Sequence, residues 1–414
     1  MAATAGQPRL VVHLVHQLEA GALENGLFDL IRHMPPERYR HAIVCLRGSS
    51  EQHAQIRARG IEIISLDKRE GRDFGHYVRM YKTLRALAPD LIHTRNLHGF
   101  EGQLVAALAG IKLRVHGEHG RDMPDLSEKR IKYQLLRRLL RPLIGHFIAV
   151  SADLEHWLID NVGAEPEQVS QISNGVDSVQ FHPRLGPPAA VGPAGFMQDN
   201  AFVIGSVGPM GDVKTYPTLV DAFLRLIASP HPAHQRLRLL IVGDGPARAE
   251  CLEKLARAGA SHRAWLPGER TDIAQLLRAM DLFVLPALAE CSSSTILEAM
   301  ATGLPVIATA VGGANELVLP GFTGILLPPR SPDLLAAAIA DYCRIPEMGA
   351  RHGMRARSQV IAHHSLPAMA RSYLAVYDAL LGNGAGTGAG TVTAMGSGRG
   401  TATAAGAGSR TSTC

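Results

Sequence analysis

Short runs of β-branched and aliphatic residues alternate with amphipathic stretches, and the alternation occurs twice along the chain. In the first half the strand-like runs are RLVVHLVHQL, HAIVCLR, IEIISL, LIHTRN, KLRVHGEH and FIAVS, and the spacing predicts helices over 24–32, 77–87 and 102–109. That order predicts a parallel sheet with right-handed crossovers. Residues 181–197, FHPRLGPPAAVGPAGFM, are dense in Pro and Gly and read as a linker. The pattern restarts with FVIGSVG, a helix over 218–226, RLLIVGDG, SHRAWLPG, DLFVLP, LPVIATA and GILLPP. The fold class is therefore α/β, with two doubly wound parallel-sheet domains at 1–183 and 199–364 and a linker at 184–198. A last helix at 365–381 is placed to cross back to the first domain. Residues 382–414 are almost wholly Gly, Ala, Thr and Ser without apolar periodicity, so disorder is expected there.

Composition narrows the class without naming it. The chain has 414 residues, 46% hydrophobic and 19% charged, which suits two globular cores. No apolar run reaches the roughly 20 residues of a membrane span. The N-terminus lacks an export signal, so a cytoplasmic protein is expected. Five scattered cysteines form no C-x-x-C pair, which speaks against a zinc site or a disulfide framework. The net charge of +5 gathers in EKRIKYQLLRRLLRP at 128–142. There Ile131, Leu135, Leu136, Leu139 and Leu140 fall near helical spacing with Lys and Arg between them. Such a helix suits a packed surface position with solvated basic residues, or peripheral contact with an anionic inner-membrane surface. At 5% aromatic residues and with no recognised motif, nucleic acid is not an expected partner.

The candidate chemistry lies at 281–300, DLFVLPALAECSSSTILEAM. A strand-like run ends before one carboxylate, Glu290; three small hydroxyl residues follow, and a helix carries a second carboxylate, Glu298. A helix N-terminus at the carboxyl end of a strand is where open α/β sheets bind phosphorylated ligands. A carboxylate repels phosphate, so the two Glu suit ligand hydroxyls, while Ser294, Thr295 and nearby amides suit phosphates. Together they point to a sugar nucleotide.

With these residues placed, the chain resembles the family 4 glycosyltransferases of GT-B architecture over roughly residues 9–381. The supporting motifs are GALENGL from Gly21, ISNGVD from Ile172, GSVGPMGDVK from Gly205, VGDGP from Val242, ECSSSTILE from Glu290 and GLPVIATAVGGANELV from Gly303. The closer likeness is to sugar transferases of bacterial exopolysaccharide assembly, including exosortase-associated ones.

The resemblance implies a retaining, metal-independent transfer from a UDP- or GDP-linked sugar to a glycan or polyprenyl-linked acceptor, with no cofactor beyond the donor. It implies Lys214 at the diphosphate, Gly21 and Ala22 in the Gly-rich loop, Gly268 beside the base, and Glu298 on the ribose. Glu290 would orient the donor sugar, and His119 would face it from the first domain, with His116 as the competing histidine. Glu118 and Arg121 are candidates for the acceptor side. Three residues depart from the family pattern: Pro209 stands where an Arg clasps the diphosphate, Ala22 where a second Gly is usual, and Cys291 where Gly is usual. Two other readings share the motifs: a sugar-nucleotide 2-epimerase, and a non-catalytic nucleotide-sugar-binding relative.

Overall fold

The computed structural model describes residues 7–18, 22–47, 61–69, 71, 73–119, 130–197, 200–290 and 293–382. Two all-parallel sheets account for the alternation. The first runs β1 (Arg9–Val15), β2 (Tyr39–Cys45), β3 (Glu62–Ser65), β4 (Leu91–Arg95), β5 (Leu113–Glu118), β6 (His146–Ala149) and β7 (Val169–Gln171), in the spatial order β3-β2-β1-β4-β5-β6-β7. The second runs β8 (Phe202–Val207), β9 (Leu237–Val242), β10 (Ala264–Gly268), β11 (Leu282–Leu285), β12 (Val306–Thr309) and β13 (Gly324–Leu327), in the order β10-β9-β8-β11-β12-β13. Strand order reverses between β1 and β4 in one sheet and between β8 and β11 in the other. At such a switch point the flanking connections leave to opposite faces and open a crevice at the carboxyl ends of the strands.

The strands are nearly continuous hydrophobic runs because both faces of each sheet are covered. In β9 all six residues are buried, and in β11 all four. The Pro-rich stretch after Phe181 does not hang free: Phe181, Val191 and Phe196 are buried in the core of the second sheet. Helix Leu366–Leu381 buries Met369, Tyr373 and Tyr377 with Val11, Leu91 and Val115 of the first sheet. Its Asp378 pairs with Arg38, and its Tyr377 hydroxyl lies 2.7 Å from His93 Nδ1. Across the two sheets, Glu316 accepts from the Ala152 amide at 2.8 Å and from Gln171 Nε2 at 2.5 Å. This carboxylate of the second sheet's loops thus caps helix Ala152–Trp157 of the first.

Helix Arg130–Leu140 corrects its sequence reading. Arg137 is fully buried and points inward, its Nε donating to Glu118 Oε1 at 2.8 Å, while Leu135 and Leu139 are 58% and 74% exposed. A buried carboxylate outweighs the apolar stripe in setting the helix rotation, because an ion without a partner costs more than exposed leucines.

Candidate active site

The switch point of the second sheet is built from the loops after β8 and β11. Gly208 leaves β8 at φ +149, and its carbonyl lies 2.0 Å from where a Cβ on Gly243 would sit. The Gly243–Gly245 turn therefore backs directly onto the 208–214 loop, and Met210 N donates to Asp244 O at 2.8 Å. Gly268, at φ +85, holds the turn from behind by accepting from Gly243 N at 2.9 Å. Its glycine identity serves this positive φ.

The loop ends in Lys214, whose ammonium donates to Glu290 Oε2. The two side chains are 20% and 9% exposed. Thr215 follows in the left-handed region at φ +40, held there by its hydroxyl donating to Pro286 O. Such strain in a non-glycine residue persists only where the surroundings impose it. Glu290 is fixed from the other side by a pair of glycines. Gly313 N donates to its carbonyl at 2.9 Å, and a side chain on Gly312 would approach that carbonyl to 1.8 Å. The sequence reading gave Gly312 and Gly313 no role; only the fold brings them to Glu290.

Helix Ser294–Ala301 opens beside this pair. Ser293 is its N-cap, its hydroxyl accepting from Ile296 N at 3.3 Å and lying 3.3 Å from Thr295 Oγ1. Ser294 and Thr295 form the first turn, whose amides have no partner within the helix. Glu298 sits one turn on, partly buried, and burial raises its carboxyl to about 7. No described residue hydrogen-bonds its side chain. A carboxylate held in this way gains most from hydroxyl donors, since they favour its charged form. Pro209 is exposed on the rim and offers the site no cation. Gly21 and Cys291 lie outside the described residues. Ala22 opens helix Ala22–His33.

On the first sheet, His119 follows β5. Its amide donates to Asn96 Oδ1 at 2.8 Å, and its Nε2 is enclosed without a partner. Burial first, then the charge of Arg95, holds it well below the usual histidine range, so it is neutral at pH 7. His116 and Glu118 turn out to belong to the structure. His116 Nδ1 lies 2.7 Å from Thr94 Oγ1, and Glu118 is 1% exposed and paired with Arg137. Burial alone would push the Glu118 carboxyl up; His116 and Arg137 hold it below the usual range. Arg121 lies outside the described residues. Among the described residues no hydrogen bond joins His119 to Lys214, Glu290 or Glu298.

A cleft of about 490 Å³ is lined by Phe202, Asp281, Pro305 and their neighbours. It lies at the amino ends of β8, β11 and β12, on the opposite edge of the sheet from Lys214 and Glu290.

Comparison with known proteins agrees with this geometry. Residues 23–180 match the family described as Glycosyltransferase Family 4, and residues 201–344 that described as Glycosyl transferases group 1. The lipopolysaccharide core biosynthesis mannosyltransferase LpcC of Rhizobium leguminosarum bv. viciae is 30% identical over 270 residues, covering 60% of this chain and 75% of that protein. The chain belongs to the family 4 glycosyltransferases. The Escherichia coli UDP-Gal:alpha-D-GlcNAc-diphosphoundecaprenol alpha-1,3-galactosyltransferase is 29% identical over 263 residues, covering 62% of this chain and 67% of that one. The chain spans about half the length of several other relatives in the family. The fold of Anabaena HepE, solved with UDP and glucose, superposes with a TM-score of 0.71 over 89% of this chain and 99% of that one, at 20% identity. These likenesses establish two facing Rossmann-like sheets of GT-B type for this family member.

Proposed function

We propose that the protein transfers a sugar, with retention of configuration, from a UDP- or GDP-linked donor to a glycan or polyprenyl-linked acceptor in cell-surface or exopolysaccharide synthesis. The observation that carries this reading is the set at the second switch point: the Lys214–Glu290 pair, an open helix N-terminus and an unpartnered Glu298. The relatives' named donors and acceptors are consistent with it. In the bound state the diphosphate takes Lys214 and the first-turn amides of the Ser294–Ala301 helix, and the ribose hydroxyls donate to Glu298. Glu290, released from the ammonium, turns to the sugar hydroxyls. Positive charge and oriented amides then stabilise the departing nucleoside diphosphate without a metal. Among the described residues no group of three His, Cys, Asp or Glu is placed to hold one.

Calorimetry with UDP- and GDP-sugars in EDTA tests the reading; failure of every donor to bind would overturn it. Proton NMR of the product's anomeric centre tests retention. The exposed Pro209 favours one rival, a binding relative that holds donor without turning it over. Donor binding without transfer or hydrolysis would decide for that rival, whereas conversion of the donor sugar alone would decide for an epimerase.

The membrane contact is a second part of this proposal. Leu135 and Leu139 are exposed one turn apart beside exposed Lys132 and Arg138, and the packed helix Asn96–Leu108 exposes Leu104 and Leu108. No helix among the described residues is long and apolar enough to cross a membrane. Co-sedimentation with phosphatidylglycerol vesicles, lost in Leu135→Ser/Leu139→Ser, is the expected result. Equal sedimentation of the variant would remove this contact.

A further inference from the structure

The first sheet has a cation at its own switch point that the donor chemistry does not use. His13 and His93 stand in register across β1 and β4, and His41 of β2, two residues out of register on the same face, lies 3.0 Å from His13, Nδ1 to Nε2. Arg95 lies two residues beyond His93 on the same face, at the carboxyl end of β4, with Gly117 of β5 as its register partner. Arg95 is 4% exposed, yet its Nε and Nη2 have no hydrogen-bond partner. No described residue offers it a carboxylate. Those two nitrogens form one edge of the guanidinium, the edge that matches an oxyanion bidentately.

The surroundings are neutral and unpaired in the same way. His93 Nε2 and His119 Nε2 are also without partners, and both point to the space a side chain on Gly117 would fill, 3.0 and 3.1 Å from that position. Tyr377 occupies the other nitrogen of His93 at 2.7 Å. When its hydroxyl donates there, His93 Nε2 carries the proton and becomes a donor.

Arg137 is the internal control for what burial requires. It is fully buried on the other face of the same sheet, and there Glu118 pairs with it. A fold that neutralises one buried arginine and leaves another bare, at the edge where ligands enter, reserves the second for an anion from outside.

We infer that Arg95, flanked by His93 and His119, is the anchor for a phosphoryl group of the acceptor, so that the acceptor is a phosphate-bearing molecule held by the first domain. The assignment rests on the transferase reading in naming that molecule the acceptor; the anion site itself does not depend on it. Arg95 has already lost its water, so an entering phosphate regains pairing without stripping the guanidinium further. Because Arg95 Nε and Nη2 are enclosed, an entering phosphate requires the side chains around them to move.

Inorganic phosphate, titrated calorimetrically into the protein with and without saturating UDP, tests the site. Wild type is expected to bind phosphate in both states, and Arg95→Gln to bind it about tenfold more weakly or worse. Arg95→Met guards against a folding artefact: deleting an unpaired buried charge is expected to raise the Tm of the unliganded protein, whereas a structural arginine would lower it. Equal phosphate affinity in wild type and Arg95→Gln, or a lowered Tm in Arg95→Met, overturns the proposal. If neither UDP nor GDP binds while phosphate binding still depends on Arg95, the donor reading falls and the anion site stands. Phosphatidylcholine vesicles carrying polyprenyl phosphate identify the source. Arg95-dependent binding to them assigns the group to a lipid headgroup, and a response to free phosphate alone assigns it to a soluble phosphorylated acceptor.

Discussion

The two switch points are built alike and differ in one respect. Each carries a basic residue followed by a non-glycine residue in the left-handed region that leads into a helix: Lys214 and Thr215 at φ +40 before Tyr216–Ala228, Arg95 and Asn96 at φ +51 opening Asn96–Leu108. In the second sheet the cation has a carboxylate, Glu290. In the first it has none among the described residues. Lys214 is thus held in place by Glu290 and, on the proposed function, exchanges it for a ligand oxyanion. Arg95 is fixed by burial and exchanges nothing. A paired cation limits affinity but keeps the empty site stable; a bare one costs stability and sharpens selection for an anion.

Partnership, rather than burial, separates stabilising from ligand-binding cations here. Glu118→Ala tests this most severely, because it removes the buried carboxylate that pairs with Arg137. The expected loss is about 3–5 kcal/mol in chemical denaturation, the usual result of breaking a buried ion pair from one side. The Glu118 carboxyl is held below its ordinary range, so its contribution is present above the unfolded value and is lost as pH falls through the folded one. The Ala variant should therefore show its deficit at neutral pH and converge on wild type in acid. A loss below about 1 kcal/mol would mean that a carboxylate partner matters little to a buried arginine in this fold, and the contrast with Arg95 would carry no meaning.

Glu298 extends the contrast to an anion. Its carboxyl is raised to about 7 by burial. A raised carboxyl contributes stability that is fully present below the unfolded value, near 4.5, and is lost as pH rises through about 7. Glu298→Gln should therefore be more stable than wild type at pH 8, by up to ~3 kcal/mol, and equal to it near pH 4. Donor affinity should rise with pH across 7 in wild type and stay flat in the variant. A variant less stable than wild type at pH 8 would show Glu298 to be a structural group with a partner.

Lys214→Met measures the paired switch point. Donor affinity should fall about 10–100-fold, the effect of one charge-assisted contact. Stability should change little, because Glu290 is left at a partly hydrated rim instead of in the core. A stability loss as large as that of Glu118→Ala would place the Lys214–Glu290 pair with the structural ion pairs.

The fold was legible because parallel strands covered on both faces must be hydrophobic runs: β11 is an unbroken one, and β9 is interrupted only by Arg238. Glu290 and Glu298 were singled out from the strand-to-helix pattern and Lys214 from the family likeness, and the fold sets Lys214 against Glu290. Partnership could not be read. Nothing in LIHTRN distinguishes Arg95 from Arg137 in KYQLLRRLL, since Glu118 reaches one and not the other only after β5 and the helix Arg130–Leu140 are packed. The inward turn of Arg137 and the exposure of Leu139 have the same origin: a tertiary ion pair overruled local periodicity. Gly312 and Gly313, in TAVGGANE, are as visible as any glycine pair, but their target, the Glu290 carbonyl, is set by the packing of two loops.

The smallest expected effect concerns the residue where family likeness and structure disagree most. Pro209 lies on the exposed rim between Gly208 and the buried Met210, and Met210 N and O are both engaged with the 244–247 segment. Backbone at 209 is therefore held in place whatever the side chain, and Pro209→Arg removes no hydrogen bond that Pro could make. On the proposed function, an arginine there adds a second cation to the diphosphate assigned to Lys214, in a partly hydrated place where a new ion pair contributes about 1 kcal/mol. Donor affinity should tighten about fivefold, with the gain shrinking as salt is raised from 50 to 500 mM on the order expected for screened charges. In Lys214→Met the same substitution should recover part of the lost affinity. If Pro209→Arg leaves donor binding unchanged in both backgrounds, the diphosphate does not pass over this loop, and the paired switch point would lose its claim to be the donor side of the comparison.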